Sequence, residues 1–321
     1  MNNLEDIARQ LMQYDEFVLL GHAIPDGDCI GSMLGLQLAL HSLGKRAEMI
    51  LADSVPPIYH YLPNWESIKP PAALERRRAA AVYLDCSDQC RVDPEVRDAL
   101  QQAAVTINID HHQGNSLFGD YNYVNPQAAA TAEIIFELLG IMPVQITADV
   151  ADCLLAGIIM DTGSFLNSNT TSTTMKIAAR LLELGASVER ARNHLFESKP
   201  LQEVLVLKQA LQHLSLSPDG RVAWMCLSYE EAQRAGVLDY HPEGIINYTR
   251  MIAGVEVGML FREVGPGEIK VGFRSRGSID VASLAREFGG GGHRLAAGAS
   301  FDGSLDAVQA RVLARVKEVF G

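Results

Sequence analysis

The sequence predicts an α/β protein with a doubly wound, mainly parallel sheet in its N-terminal domain and a smaller mixed α/β C-terminal domain. The chain has 321 residues, 48% of them hydrophobic, which is enough for two cores at about 150 residues per domain. Short apolar runs alternate with helical patterns in the first half, as in sheets with helices on both faces. The second half contains a hairpin pattern, which is typical of antiparallel strands.

In the first half, apolar runs of four to five residues bounded by polar breaks indicate buried parallel strands. Helices are expected where apolar residues recur at helical spacing and where Pro or Gly marks an end. A loop is expected over 115–126. The predicted strands cover 17–20, 80–84 and 105–109, and the predicted helices cover 30–43, 95–103, 129–139, 148–160 and 173–184.

The second half follows a polar stretch that has no strand signal. We therefore predict a first domain at 1–186, a linker at 187–200 and a second domain at 201–321. A helix is expected from Leu201. The later predicted strands cover 222–227, 255–264 and 269–274, and Gly265-Pro266-Gly267 between the last two predicts a hairpin turn.

Composition excludes several classes of protein. With 27 Lys and Arg against 39 Asp and Glu, the net charge is -12, which argues against a protein that grips long DNA through many phosphates. A small anionic ligand held by a local basic cluster remains open. No apolar run reaches the 18 or so residues of a membrane span, and the N-terminus lacks the pattern of a signal peptide. Five scattered cysteines without a CxxC pair predict reduced thiols and a cytoplasmic protein.

The segment GHAIPDGDCIGS, directly after the first predicted strand, carries His22, Asp26 and Asp28. The second predicted strand ends at Asp85, and the third ends at Asp110-His111-His112. Ligands bind at the carboxyl ends of the strands in open α/β sheets. These side chains are therefore expected to gather at one edge of the sheet.

Asp161 follows the apolar stretch 154–160 and brings another carboxylate to the end of a buried element. Taken alone, Asp85 would more often be a turn residue, and Asp161 with Thr162 could cap a helix. The four carboxylates of Asp26, Asp28, Asp85 and Asp161 would repel one another unless cations were bound, and two divalent ions balance their charge. A mixed N/O ligand set suits Mn²⁺, Mg²⁺ or Co²⁺ and tolerates Zn²⁺ or Fe²⁺.

A second signal is the glycine run at 289–292, which His293 and Arg294 follow. Glycines let backbone N–H groups approach a phosphate, although a bare glycine run is more often a flexible turn. Arg274-Ser275-Arg276 on a neighbouring predicted strand favours an anion site.

These motifs resemble those of the DHH phosphoesterase family, named for the triplet seen here at Asp110-His111-His112, and GGGGHRLAAGAS resembles its DHH-associated domain. The resemblance covers nearly the whole chain. It implies two divalent metal ions, with Mn²⁺ first and Mg²⁺ or Co²⁺ as alternatives. It implies one metal on His22, Asp26 and Asp85, and another on Asp28, Asp85, His111 and Asp161, with Asp85 bridging.

The same resemblance implies catalytic roles for Asp85, for Asp110 as the group that orients a histidine, and for His112 as a residue that faces phosphate or the leaving group. Nucleotide contacts are implied for Arg274, Ser275, Gly291, Gly292 and His293. Arg250, Arg276 and Arg294 are weaker candidates.

The compact members of the family imply an enzyme that hydrolyses very short single-stranded RNA or DNA to mononucleotides, and 3′-phosphoadenosine 5′-phosphate (pAp) to AMP and phosphate. They also imply closure of two domains around the substrate, no membrane partner, and a homodimer. The alternatives are a phosphodiesterase for cyclic di-AMP or its linear product pApA, a manganese pyrophosphatase, and a catalytically silent nucleotide-binding module.

Overall fold

The computed structural model describes residues 2–74, 78–238 and 244–320. The chain forms two compact units, Met1–Ser198 and Lys199–Gly321. Each unit has hydrophobic clusters made only of its own residues, as expected for domains with separate cores. The predicted α/β class is confirmed.

The first unit is built on a six-stranded, all-parallel sheet with the strand order β3-β2-β1-β4-β5-β6. The chain leaves β1 toward β2 and later returns to β4 on the other side of β1. This reversal is the position at which open α/β sheets bind ligands. The strands are β1 (Glu16–Leu20), β2 (Arg46–Ile50), β3 (Ile68–Lys69), β4 (Ala80–Leu84), β5 (Val105–Asp110) and β6 (Tyr121–Val124).

Seven α-helices of the described residues belong to this unit. Helices α2 and α5 pack closely because Gly31 has no side chain: a Cβ there would lie 2.3 Å from the carbonyl oxygen of Cys153. The helices are α1 (Leu4–Gln13), α2 (Gly27–Ser42), α3 (Pro94–Ala99), α4 (Thr131–Ile141), α5 (Ala148–Asp161), α6 (Ser172–Glu183) and α7 (Val188–Arg192).

The second unit has a six-stranded mixed sheet with the order β11-β12-β10-β9-β8-β7, in which only β8 and β9 pair in parallel. The strands are β7 (Ser215–Leu216), β8 (Val222–Leu227), β9 (Val257–Gly265), β10 (Glu268–Ser275), β11 (Gly291–His293) and β12 (Ala296–Asp302). The helices are α8 (Leu201–Gln212), α9 (Tyr229–Arg234), α10 (Asn247–Met251), α11 (Val281–Glu287) and α12 (Leu305–Phe320).

The predicted hairpin is present as β9 and β10, which pair antiparallel. Two stretches differ from expectation. The loop expected over 115–126 contains β6. Its residues are largely polar, and the strand forms by pairing with β5. The polar stretch 187–200 is largely helical, since α7 continues into a π-helical turn at Asn193–Glu197 and buries Ala191 and Leu195 against the first core.

All five cysteines lie within the described residues and are free thiols. Cys29, Cys86 and Cys153 are buried, Cys226 is half-buried and Cys90 is exposed. Of the helices in the described ranges, none combines the length and the apolar character needed to span a membrane.

Candidate metal centre and substrate-binding residues

Asp85 lies at the centre of a cluster of carboxylates and histidines at the carboxyl edge of the parallel sheet. It directly follows β4, and only 2% of its surface is exposed. Its φ of 58° lies in the left-handed region, which Asp tolerates better than most residues. Its N–H donates to the carbonyl of Ile109 at 3.1 Å, which fixes the backbone where the chain leaves the sheet.

The two carboxylate oxygens of Asp85 lie near different histidines. Oδ2 is 3.4 Å from His22 Nε2, whereas Oδ1 is 3.6 Å from His111 Nε2. Oδ1 also lies 3.5 Å from His112 Nδ1. The arrangement gives one carboxylate a ligand atom for each of two neighbouring positions.

The remaining predicted ligands divide between these positions. His22 Nε2 lies 3.9 Å from Asp26 Oδ1. His111 Nε2 lies 3.9 Å from Asp28 Oδ2 and 3.6 Å from Asp161 Oδ2, at the end of α5. Ligand atoms within 4.8 Å of one another form three groups: His22, Asp26 and Asp85; Asp28, His111 and Asp161; and Asp85, His111 and His112. The structure therefore brings together all six residues expected to hold metal.

Backbone carbonyls orient both histidines. His22 Nδ1 lies 2.8 Å from the carbonyl of Ala23, and His111 Nδ1 lies 3.3 Å from the carbonyl of Ala128. Because a carbonyl oxygen only accepts hydrogen bonds, Nδ1 is the donor in each ring. Nε2 is then the nitrogen that lies near the carboxylates. This is the usual support of a histidine metal ligand.

Asp28 is held by the start of α4. Its carboxylate accepts from the N–H groups of Thr131 at 2.5 Å and Ala132 at 2.8 Å, and from Ser32 Oγ at 3.3 Å. Ala130 precedes α4 and offers no capping side chain, so Asp28 satisfies these first-turn donors from another element. Thr131 Oγ1 also donates to Asp85 Oδ1 at 3.0 Å, which links two carboxylates through one residue.

His112 is oriented by Asp110, the last residue of β5. Its Nδ1 lies 2.7 Å from Asp110 Oδ1, and Asn115 Nδ2 donates to Asp110 Oδ2 at 2.6 Å. Asp110 is fully buried. The charged hydrogen bonds hold the pKa of Asp110 low despite burial and raise that of His112 despite burial. The pair therefore favours a protonated imidazole against a carboxylate.

The electrostatics of the cluster fit divalent cations. Burial and the neighbouring carboxylates of Asp85, Asp161 and Asp26 raise the pKa of Asp28 well above its usual range. Burial, with Asp85 and Asp26, also raises the pKa of Asp161 to about 6, although His111 opposes the shift. Burial lowers the pKa of His22, but hydrogen bonds to Asp26 and Asp85 outweigh it and raise that pKa to about 10. The cationic groups of the protein alone do not balance the negative charge of these carboxylates.

Three residues around the cluster were not expected from the sequence. Thr131 and Asn115 hydrogen-bond to the carboxylates of Asp85 and Asp110, and the carbonyl of Arg91 accepts from Ala23 N–H at 2.9 Å. Arg91 follows Asp85 in the segment LDCSDQCR, and that proximity was an available signal. Thr131 had none, because Asp28 and Asp85 are distant in the sequence. Asn115 lies five residues after Asp110, but in a segment expected to be a loop.

In the second unit, the residues expected to contact a nucleotide lie on β10 and β11, the two strands on either side of β12. Arg274 and Ser275 end β10, and Gly291, Gly292 and His293 form β11. Ala296 of β12 pairs with Arg274 on one side and with His293 on the other. The register therefore places the backbones of Arg274 and His293 in one row of the sheet.

The glycines have different surroundings. A Cβ on Gly292, whose φ is 137°, would lie 2.6 Å from the carbonyl oxygen of Ala296, so pairing with β12 requires glycine there. A Cβ on Gly291 would meet nothing within 4 Å. Gly291 is exposed, and its position leaves room for a ligand beside the backbone.

Arg274 is a half-buried cation. Burial and the nearby charge of Arg250 lower its pKa, and within the described ranges no carboxylate forms an ion pair with it. Its Nη1 donates to the carbonyl of Phe273 at 3.0 Å. Two neighbouring arginines that form no ion pair with a carboxylate of the described residues favour an anionic ligand.

Ser275 is fully buried, and its Oγ accepts from Gly277 N–H at 3.0 Å. The structure therefore shows the hydroxyl in an internal turn, and its predicted contact with substrate stays a prediction. Nothing beyond the backbone is described for His293.

The cluster of carboxylates and histidines at the carboxyl edge of the parallel sheet places the chain among α/β proteins with a candidate metal site at the strand ends. The model of the DHH family, N-terminal domain, matches residues 16–158, and that of the DHHA1 domain matches residues 241–320. The chain belongs to the DHH family and is a hydrolase of that family, as the sequence motifs predicted.

Similar proteins agree with this assignment over nearly the whole chain. The chain is 35% identical to a bifunctional oligoribonuclease and PAP phosphatase NrnA of Thermus thermophilus, covering 92% of this chain and 88% of that protein. It is 28% identical to the protein of the same name in Bacillus subtilis, covering 92% of each. The crystal structure of an exopolyphosphatase-related protein from Bacteroides fragilis matches with a TM-score of 0.92 at 25% identity, covering 98% of this chain and 96% of that one.

Proposed function

We propose that this protein hydrolyses very short oligonucleotides to mononucleotides, and pAp to AMP and phosphate. The observation that carries the proposal is the cluster around Asp85, in which six metal-type ligands converge on two adjoining positions. The two NrnA relatives bear names that state these two activities. They favour this function over hydrolysis of cyclic di-AMP or pApA.

The proposed metal assignment places one ion on His22, Asp26 and Asp85, and another on Asp28, Asp85, His111 and Asp161. Support comes from Asp85, whose two oxygens lie beside different histidines, as a bridging carboxylate requires. The ligand set contains carboxylates and imidazoles but no thiolate, and we propose Mn²⁺ as the ion, with Mg²⁺ or Co²⁺ as substitutes. Such ions, when bound, lower the pKa of water and offset the charge of a phosphate.

Other residues of the site orient its side chains or transfer a proton. Asp110 holds His112 Nδ1–H, and we assign to His112 the donation of a proton to a phosphate oxygen or to the leaving oxygen. Thr131 fixes Asp85 Oδ1 and restricts the rotation of that carboxylate. Asp85, Asp110 and His112 are thus the proposed catalytic residues of this chain.

We assign the metal chemistry to a first domain, 1–186, and nucleotide recognition to a second domain, 201–321, with 187–200 between them. Arg274, Ser275, Gly291, Gly292 and His293 are the proposed substrate-binding residues. Support comes from the cationic environment of Arg274 and from the open space beside Gly291. We also propose short single-stranded RNA or DNA and pAp as partners, a homodimeric state, and a cytoplasmic location, which suits five free thiols.

Product analysis tests the proposal. The pure protein with Mn²⁺ should release mononucleotides from two- to five-nucleotide RNA and phosphate from pAp. Asp85→Ala should abolish both reactions, whereas Asp98→Ala, which removes an exposed carboxylate on α3, should not. Turnover confined to cyclic di-AMP or pApA would contradict the substrate assignment. Metal-dependent binding of pAp without turnover would instead support a silent nucleotide-binding module.

A further inference from the structure

Arg91 lies beside the metal centre in a segment that the site assignments leave without a role. It is the last residue of a 3₁₀ turn, Gln89–Arg91, in the segment that follows β4 and Asp85. Asp88 caps this turn by accepting from Cys90 N–H at 2.7 Å. The carbonyl of Arg91 accepts from Ala23 N–H at 2.9 Å. Because Ala23 follows His22, the backbone of Arg91 is fixed against a ligand-bearing loop.

The side chain of Arg91 is half-buried. Within the described ranges, its guanidinium takes part in no hydrogen bond or ion pair. Several other arginines of the first unit are paired: Arg9 with Asp6, Arg46 with Glu16, Arg180 with Glu183, Arg190 with Asp152, and Arg192 with Glu197. Among the described residues, the five donors of the Arg91 guanidinium are therefore not used by a carboxylate.

The positive charge of Arg91 influences titratable groups at the carboxyl edge of the parallel sheet. It lowers the pKa of His112 and that of the Cys86 thiol, in each case against larger effects of the opposite sign. Within the described residues, no hydrogen bond or ion pair joins Arg91 to Asp110, which holds His112.

Charge balance indicates what the guanidinium could bind. The four carboxylates of Asp26, Asp28, Asp85 and Asp161 match the charge of two divalent ions. A phosphate group that enters this centre brings negative charge with no remaining partner among these residues. A guanidinium suits two oxygens of one phosphate at once.

We infer that Arg91, fixed through its backbone against the loop that carries His22, binds the non-bridging oxygens of the phosphate group that is hydrolysed through its guanidinium. This inference rests on the proposed phosphoesterase function. It makes Arg91 a catalytic residue supplied by the first domain, in addition to the nucleotide contacts proposed for the second. Its contribution grows as charge develops on the phosphate oxygens.

Steady-state kinetics of Arg91→Met and Arg91→Lys test the inference. Removal of one preorganised donor to a developing oxyanion typically lowers kcat by on the order of 10² to 10³, and we expect a loss of that size for pAp in Arg91→Met. Arg91→Lys should recover part of it, and added guanidinium ion should partly rescue Arg91→Ala. Arg9→Met, which removes a surface arginine paired with Asp6, is the matched control.

Mn²⁺ affinity, measured by calorimetry, should change less than two-fold in Arg91→Met. A loss of activity below three-fold, or a loss that merely follows weakened metal binding, would overturn the inference. Inorganic phosphate is a probe that does not depend on turnover: Mn²⁺-loaded wild-type protein should bind it at least ten-fold more tightly than Arg91→Met. If wild type hydrolyses no phosphoester yet shows this difference, the proposed function fails and the phosphate contact stands. Equal phosphate affinity with active wild type would refute the contact alone.

Discussion

Thr131 hydrogen-bonds to two carboxylates of the proposed metal centre. Its N–H donates to Asp28 while its hydroxyl donates to Asp85, and the residue is fully buried. The backbone and the side chain of one residue therefore hold two carboxylates that the proposal assigns to a shared ion. Residues in this supporting role commonly affect metal affinity almost as strongly as the ligands themselves.

Thr131→Val should weaken Mn²⁺ binding by about 10-fold while the fold is retained, since second-layer partners are worth roughly 10–100-fold in affinity. Valine keeps the shape and the N–H of Thr131 but removes the hydroxyl that restrains Asp85. Titration calorimetry measures the affinity. Thr173→Val, at an exposed position of α6, is the control and should bind Mn²⁺ as wild type does; equal affinities for both variants would contradict the role of the hydroxyl.

At the scale of elements, α2 and α5 form a tightly packed pair behind the site. Each carries a predicted ligand at one end: Asp28 lies in the first turn of α2, and Asp161 is the last residue of α5. Gly31 on α2 faces the backbone of Cys153 on α5. The approach of these two backbones determines where both carboxylates lie.

Gly31→Ala should lower the free energy of unfolding by about 1–3 kcal/mol, the usual cost of overpacking a filled core. A methyl group would lie 2.3 Å from a backbone oxygen that cannot move away as a side-chain tip could. Gly140→Ala is the matched control, because a Cβ there meets nothing within 4 Å. Since alanine favours a helix over glycine, it should raise stability by up to about 1 kcal/mol. Urea denaturation followed by circular dichroism distinguishes the two signs.

The sequence predicted the central strands β1, β4 and β5 and most long helices, because buried runs and helical periodicity are local signals. Among the strands of the first unit, it missed β2, β3 and β6. Tyr121–Val124 of β6 alternates half-buried and buried residues over only four positions, too short a pattern to distinguish from a loop. The segment 187–200 reads as polar, and its helical state depends on burial of Ala191 and Leu195 against a distant core.

The prediction of the site shows the same difference between features with a local sequence signal and features that depend on folding. Metal-type residues were visible because Asp and His recur immediately after predicted strands, and the parallel sheet brings those ends together. Thr131 could not be assigned in this way, since only folding brings it near Asp28 and Asp85. Asn115 and Arg91 follow Asp110 and Asp85 closely in the sequence, but the groups they contact are visible only in the fold. Gly292 was read as a phosphate-approach residue, whereas its immediate neighbour is the backbone of β12.

At the scale of the whole molecule, the two units divide the proposed tasks. The hydrophobic clusters of the first unit contain no residue beyond Leu195, and those of the second contain none before Val206. All six proposed metal ligands belong to the first unit. Arg274 and the glycine segment belong to the second.

A fragment of residues 1–198 should therefore fold and bind Mn²⁺ but lose pAp hydrolysis by about 100-fold or more, because contacts with the rest of a substrate are used to lower the barrier at the reacting group. Thermal unfolding with and without Mn²⁺ reports folding and metal binding, and phosphate release reports activity. The full-length chain is the reference. A fragment with full activity would show that the second domain is dispensable for this substrate.

The exposed thiol of Cys90 gives the molecule a natural labelling position. Burial raises the pKa of the Cys29, Cys86 and Cys153 thiols far above the usual range, and burial raises that of Cys226 to about 11. Thiol reagents at neutral pH react with accessible thiolates, so a maleimide dye should attach at Cys90 first. Because Cys90 immediately precedes Arg91 in the chain, the dye would sit beside the proposed phosphate contact. Ligand binding could then be followed by fluorescence in the native sequence, with no cysteine introduced or removed.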